Sequence, residues 1–185
     1  PNGFSEGFAA QHTQDFSGFF CSIPGIKVVA PYSLKDHIGL LRSSIRDPNP
    51  VVILENEMLY KKDFEVSESI LDEDFSLPLN KSITEVEGDK VTIIGVSLGV
   101  GLCLEANKIL LNKGISSEII NLISINPLDI HSITQSVRKT KHLIIVDLSW
   151  PECGVASEIS STISYNLFNE LNKPIIILSS KKIPT

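Results

Sequence analysis

The sequence is poor in the residues that staple small secreted domains or ligate zinc. Of 185 residues only three are cysteine, and Cys21, Cys103 and Cys153 are far apart. No CxxC spacing occurs, so neither a zinc site nor a disulfide framework is expected, and a reducing compartment fits better. Positive charge is scarce: 16 lysines and arginines stand against 22 aspartates and glutamates, a formal charge of -6. Neutralising phosphates needs clustered cations, so no nucleic-acid partner is expected. The longest apolar runs, IIGV, LIIV and PIIIL, fall far below the ~20 residues of a bilayer-spanning helix, so no membrane partner is expected either. No basic stretch leading into an apolar one opens the chain, and no signal peptide is read. What is present, 42% apolar and 21% charged residues, is the balance of a folded globular chain. The opening Pro1 and the closing IPT, just after a strand-like run, read as the ends of a piece of a longer protein.

Pro24-Gly25 leads into IKVVAP, a β-branched run over residues 26–31 that reads as a strand. Ser33, followed three residues later by Asp36, opens a capping box with the shorter acid. Leu34, Ile38, Leu41 and Ile45 then recur at helical spacing as one apolar stripe. Pro48 and Pro50 end that helix near Asp47, because proline donates no backbone bond and restricts the residue before it. Residues 50–54, PVVIL, form a run of the kind buried on both faces of a parallel sheet. Residues 61–87 are acidic and weakly periodic and read as a linker, with Asp72-Glu73-Asp74 solvated. From residue 88 the pattern is regular. Strands over 91–95, 118–122, 142–146 and 174–178 alternate with helices over 99–112, about 126–138 and 154–171. Lys113-Gly114 stops the first of these helices, and Asp129 is a natural N-cap for the second. The alternation predicts an α/β fold with a doubly wound sheet. The expected units are 1–60 and 88–185, joined by 61–87.

Gly95-Val96-Ser97-Leu98-Gly99 spells GxSxG between a strand and a helix, the setting of a hydrolase nucleophile. Asp129 and His142 follow in the order such a triad requires. His142, however, opens a strand, and a Gly-Ser turn that lets strand and helix pack closely accounts for the same residues. Gly99-Val-Gly101 lacks the third glycine of a dinucleotide fingerprint. His12, in AAQHTQ, sits in a polar stretch where a hydrogen-bonded surface role competes with a catalytic one. His37 is assigned no role. Asp47 and Asn49, in RDPNP, are turn formers that could also offer oxygens to a hard cation.

Longer words of sequence carry more. PNG, AAQHTQ, IPGIKVVAPYS, IRDPNPVVILENEMLY, GISSEIINL, INPLD, SVRKTKHLIIVD and SWPECGVASEI run in one order along the whole chain. Together they resemble the beta subunits of the first component of pyruvate dehydrogenase (acetyl-transferring), and more loosely the transketolase-type proteins. ENEMLY and RDPNP resemble the pyruvate enzymes more than the branched-chain 2-oxoacid dehydrogenases, which are the alternative, as is a diverged assembly subunit without catalysis. The resemblance implies a transketolase-like α/β fold: part of a pyrimidine-binding domain, then a three-layer α/β/α transketolase C-terminal domain. It implies oxidative decarboxylation of pyruvate with acetyl transfer to lipoamide, in a heterotetramer of two alpha and two beta chains. Thiamine diphosphate would lie between alpha and beta chains, with magnesium on the alpha side and the cofactor-activating glutamate of the beta chain ahead of Pro1. His12 matches the family's active-site histidine. Ser44, Ile45, Asp47 and Asn49 match a potassium site made mostly of backbone oxygens, which explains how serine can stand for the usual alanine at 44. The dihydrolipoamide acetyltransferase core would be a further partner, although Lys182 stands where an acid usually docks it and charge reversal opposes that contact. The usual arginines at Ile123 and Asn126 are missing, and Asp147-Leu148 retains one acid of a pair. The implied location is the mitochondrial matrix, or the cytoplasm of a bacterium.

Overall fold

The computed structural model describes residues 2–4 and 13–181. The first unit opens with a short helix α1 (Ser17–Cys21), followed by β1 (Lys27–Val29), α2 (Leu34–Arg46) and β2 (Val51–Ile53). β1 and β2 pair in parallel. α2 begins at the expected capping box: Asp36 N donates to Ser33 Oγ at 3.1 Å, and Ser33 N to Asp36 Oδ2 at 3.0 Å. Its apolar stripe does not face the core. Leu34, Leu41 and Ile45 are exposed, whereas Asp36, Gly39 and Leu40 are buried. Two features turn the helix this way. A Cβ on Gly39 would lie 2.5 Å from Leu77 Cγ, so glycine admits that neighbour. Asp36 Oδ2 accepts a 2.9 Å bond from the buried Asn121 amide.

Residues 61–87 pack on α2: the Arg42 guanidinium donates to the carbonyls of Ile70 and Phe75, and Ser43 Oγ to that of Leu77. They carry a 3-10 turn (Glu68–Leu71) and, within the stretch read as linker, strand β3 (Ile83–Val86). There follow β4 (Val91–Gly95), α3 (Leu98–Asn112), β5 (Ser117–Asn121), β6 (Ser124–Asn126), α4 (Ile130–Thr140), β7 (Leu143–Asp147), α5 (Val155–Leu167) and β8 (Ile176–Ser179). The main sheet runs β3-β5-β4-β7-β8, parallel except for β3 at its edge. Successive side chains alternate across it. Ile93, Ile119 and Val146 meet Cys103 of α3 on one face, while Ile94, Ile120 and Ile145 meet Ile133, Ile159 and Ile163 of α4 and α5 on the other. That alternation builds the three layers of an α/β/α unit.

Ahead of the helix expected from about residue 126 to 138 lies a strand, β6. There the chain leaves β5 and crosses to β1, pairing antiparallel with it (Val28 opposite Asn126, Val29 opposite Ser124). The helix starts later, with the Asp129 carboxylate accepting from Ser132 N at its N-terminus as anticipated. The first unit's sheet is therefore β2-β1-β6, completed by a strand from the second unit. One apolar cluster, with Val28, Ala30 and Leu54 against Val96, Leu122 and Ile125, crosses the seam.

Candidate functional site

The turn after α2 is held by charge. Asp47 Oδ1 accepts from Asn49 N at 2.9 Å and Asn49 Nδ2 at 3.0 Å, and its Oδ2 takes the Lys27 ammonium. The bond from Lys27 foremost, then those from Asn49, hold the Asp47 carboxyl below its usual range. The Ser44 hydroxyl turns back to the Leu40 carbonyl at 2.7 Å, and the Ser44 carbonyl accepts Asp47 N at 3.4 Å. The Ile45 side chain is a hydrocarbon turned to solvent, so only its backbone carbonyl can serve an ion. The donor set is all oxygen, which suits a hard cation. With the Asp47 carboxylate already paired to Lys27, carbonyl oxygens are the groups left for coordination. His12 lies outside the described residues, as does Lys182.

Ser97 sits at the sharp turn from β4 to α3 with φ 47 and ψ -122, a backbone that L-residues seldom adopt. That is the shape of a nucleophile elbow, yet the partners are elsewhere. Its Oγ donates to the Pro31 carbonyl at 3.0 Å. His142 precedes β7, whose Val146, near the far end, is opposite Gly95. Four residues of strand at roughly 3.3 Å each put His142 about 13 Å from that end of the sheet. Its Nδ1 lies 2.9 Å from the Thr140 carbonyl. Asp129 binds Ser82 and Ser132. No Ser97–His142–Asp129 triad forms. The glycines serve packing: a Cβ on Gly95 would stand 2.6 Å from Val100 Cα, and one on Gly99 2.6 Å from the Val146 carbonyl oxygen.

Two groupings escaped the sequence reading. His37 lies beside ENEMLY, its Nδ1 2.9 Å from the Ser33 carbonyl and its Nε2 3.8 Å from Glu55 Oε1. Tyr60 OH donates to Glu55 Oε2 at 2.8 Å, and its phenol is pushed up to about 12, by burial first and then by Glu55. The strand-then-ENE pattern was the available signal. The second grouping is a cavity of about 30 Å³ at the seam, lined among others by Asp15, Ser17, Ser97, Asp147 and Ser149. Burial foremost raises the Asp147 carboxyl above its usual range, with Asp15 adding to the effect and bonds from Ser149 opposing it. No local pattern links carboxylates so distant in sequence.

Comparison with known proteins matches the chain in two parts. Residues 1–62 match the model of the transketolase pyrimidine-binding domain and residues 80–185 that of the transketolase C-terminal domain. The chain is 47% identical over its full length to the pyruvate dehydrogenase E1 component subunit beta, mitochondrial, of Caenorhabditis elegans, covering 53% of that protein. It is 46% identical to subunit beta-1 of Arabidopsis thaliana (100% of this chain, 51% of the relative) and 45% identical to the Bos taurus subunit (100% and 52%). The chain thus spans about half the length of the curated relatives it matches. A solved structure described as "Split gene transketolase, inactive beta4 tetramer" superposes with a TM-score of 0.75 at 20% identity, over 91% of this chain and 52% of that one, a likeness of fold alone. Since the C-terminal domain model alone matches more than half of its residues, this chain belongs to the transketolase C-terminal domain family.

Proposed function

We propose that the chain works as part of a pyruvate dehydrogenase (acetyl-transferring) beta subunit, in a heterotetramer with two alpha chains. One observation carries the reading: 47% identity to such a subunit, unbroken over all 185 residues. The similar proteins reported above are pyruvate rather than branched-chain subunits, and this favours pyruvate as the substrate. Their naming as mitochondrial proteins supports the mitochondrial matrix as the compartment.

Thiamine diphosphate, shared with the alpha chain and its magnesium, would supply the carbanion-stabilising chemistry of decarboxylation. The carboxylate-lined cavity of about 30 Å³ is too small for a pyrimidine ring, so we derive no step through the cofactor from the described residues. His12 is assigned proton transfer during reductive acetylation of a lipoyl group, because imidazole gains and loses a proton near neutral pH. Ser44, Ile45, Asp47 and Asn49 are assigned to potassium, with Asp47 and Asn49 shaping the turn and carbonyls binding the ion. The acetyltransferase core is the proposed acceptor of the acetyl group.

The test is the full-length tetramer carrying His12→Ala. Lipoyl acetylation should fall by roughly 10²–10⁴-fold with assembly intact; unchanged turnover removes His12 from the chemistry. Replacing potassium by lithium should lower the melting temperature of the tetramer, and identical melting would remove the ion site.

A further inference from the structure

His37 and the turn after β2 leave a gap between two acceptors. His37 Nδ1 lies 2.9 Å from the Ser33 carbonyl. A carbonyl oxygen only accepts, so Nδ1 carries the hydrogen and the neutral ring keeps its lone pair on Nε2. That Nε2 is buried without a hydrogen-bond partner and stands 3.8 Å from Glu55 Oε1. The separation is too long for a hydrogen bond, which ends near ~3.2 Å. It suits two ligands of one ion. With bonds of about 2.0–2.2 Å, ligands of a zinc ion are roughly 3.4 Å apart at the tetrahedral angle and about 4.2 Å apart when opposite. Both groups are also held from outside as metal ligands are. The imidazole bonds a backbone carbonyl through its other nitrogen, and the second Glu55 oxygen accepts from Tyr60 OH at 2.8 Å.

We propose that His37 Nε2 and Glu55 Oε1 bind one divalent transition-metal ion of the zinc class, which clips helix α2 to the turn after β2. Imidazole selects this class over magnesium and calcium, which prefer oxygen ligands. Glu57 adds negative charge on the same side. Asn56, extended between the two glutamates (φ -94, ψ 122), points their side chains the same way. Tyr60 follows Glu57 by three residues along a 3-10 turn, where such positions eclipse. Both carboxylates, after burial, help push the Tyr60 phenol up to about 12. Glu57 Oε1 is buried without a partner. No lysine or arginine forms an ion pair with Glu55 or Glu57 among the described residues. Among those residues no three imidazole, carboxylate or thiol groups already surround one point. Water therefore fills the remaining positions, admitted because the Glu55 side chain is 40% exposed. The inference uses neither His12 nor thiamine diphosphate, and it stands or falls apart from the proposed activity.

The experiment adds zinc to the full chain after its exposed Cys153 is alkylated, so that the thiol does not compete. One equivalent should bind and raise the melting temperature. His37→Ala and Glu55→Gln, the second of which keeps the side-chain shape, should each weaken zinc binding by more than about tenfold. Tyr60→Phe, which touches only the far oxygen of Glu55, should weaken it by about tenfold. In wild type labelled with nitrogen-15, zinc should move the His37 Nε2 resonance and leave Nδ1 protonated. Equal zinc affinity in wild type, His37→Ala and Glu55→Gln would overturn the proposal, as would an unmoved Nε2 resonance. So would displacement of zinc by magnesium at equal concentration, because the ion would then sit on acidic surface without imidazole. An imidazolium at His37 persisting at pH 8 without metal would overturn it too, since a proton would already fill the gap.

Discussion

The two units are built to different standards. The C-terminal unit has a five-stranded sheet covered by helices on both faces. The first unit has two strands of three residues and borrows its third from the other unit. Short isolated sheets are marginal in water, so the first unit is stable here because it is laid onto the second. The shared apolar cluster, the β1–β6 pairing and the Asp36–Asn121 bond are the means. The difference teaches that the first unit takes its rigidity from the sheet beside it.

The largest test uses equal deletions on the two sides. Ile145 in β7 and Leu40 in α2 are both 0% exposed, and truncating either to alanine should cost about 2–5 kcal/mol. Urea unfolding followed by fluorescence and by circular dichroism should show one transition for both variants if the units are a single cooperative body. A separate early transition in Leu40→Ala would break the comparison and make the first unit an independent module. Next comes the polar link. Asn121 is fully buried and donates to Asp36 Oδ2 at 2.9 Å and Glu85 Oε1 at 2.8 Å. Asn121→Ala should cost about 1–3 kcal/mol, because the buried Asp36 carboxylate loses a donor. Hydrogen exchange should rise in α2 more than in α4; equal rises would mean the bond serves the large sheet instead of the seam.

The same contrast decides what could be read from sequence. In the C-terminal unit the apolar runs marked β4, β5 and β7, which are buried nearly throughout, and marked β8 as well, although Ile176 and Leu178 are exposed at the sheet edge. β3 escaped because ITEV sits at the sheet edge with Thr84 and Glu85 exposed. β6 escaped because three residues, SIN, carry no periodicity and acquire meaning only from β1, remote in sequence. The capping box of α2 was legible because it is local chemistry. The direction its apolar stripe faces was not, because Leu77 and Asn121, distant in the chain, settle it. The turn RDPNP was legible from its prolines, whereas the salt link from Lys27 to Asp47 left no sequence trace. A narrower change checks the local part of this reading. Ser33→Ala removes the acceptor of the 3.1 Å bond from Asp36 N and should cost about 1 kcal/mol. The loss should appear in thermal melting and be confined to helix α2 in exchange; an effect below a few tenths would show that Asp36 alone holds the helix start.

The smallest perturbation is chemical labelling, because it leaves the sequence intact and reads each region where it stands. Cys153 is exposed, Cys21 is half-buried in the first unit, and Cys103 is buried in α3 of the second. Burial first, and Asp15 after it, pushes the Cys21 thiol up to about 11, and burial pushes Cys103 up to about 12. Thiolate is the reacting form, so a disulfide reagent at pH 8 should modify Cys153 at once and the other two slowly. The order of those two carries the information. Each must wait for an opening that exposes it, and the free energy of that opening sets its rate. If the first unit and the sheet open only together, Cys21 and Cys103 should label with similar dependence on added urea, as global unfolding requires. If Cys21 reacts by a urea-insensitive route while Cys103 does not, the first unit lifts locally from its support. The borrowed strand and the shared cluster would then be too weak to make one body of the two.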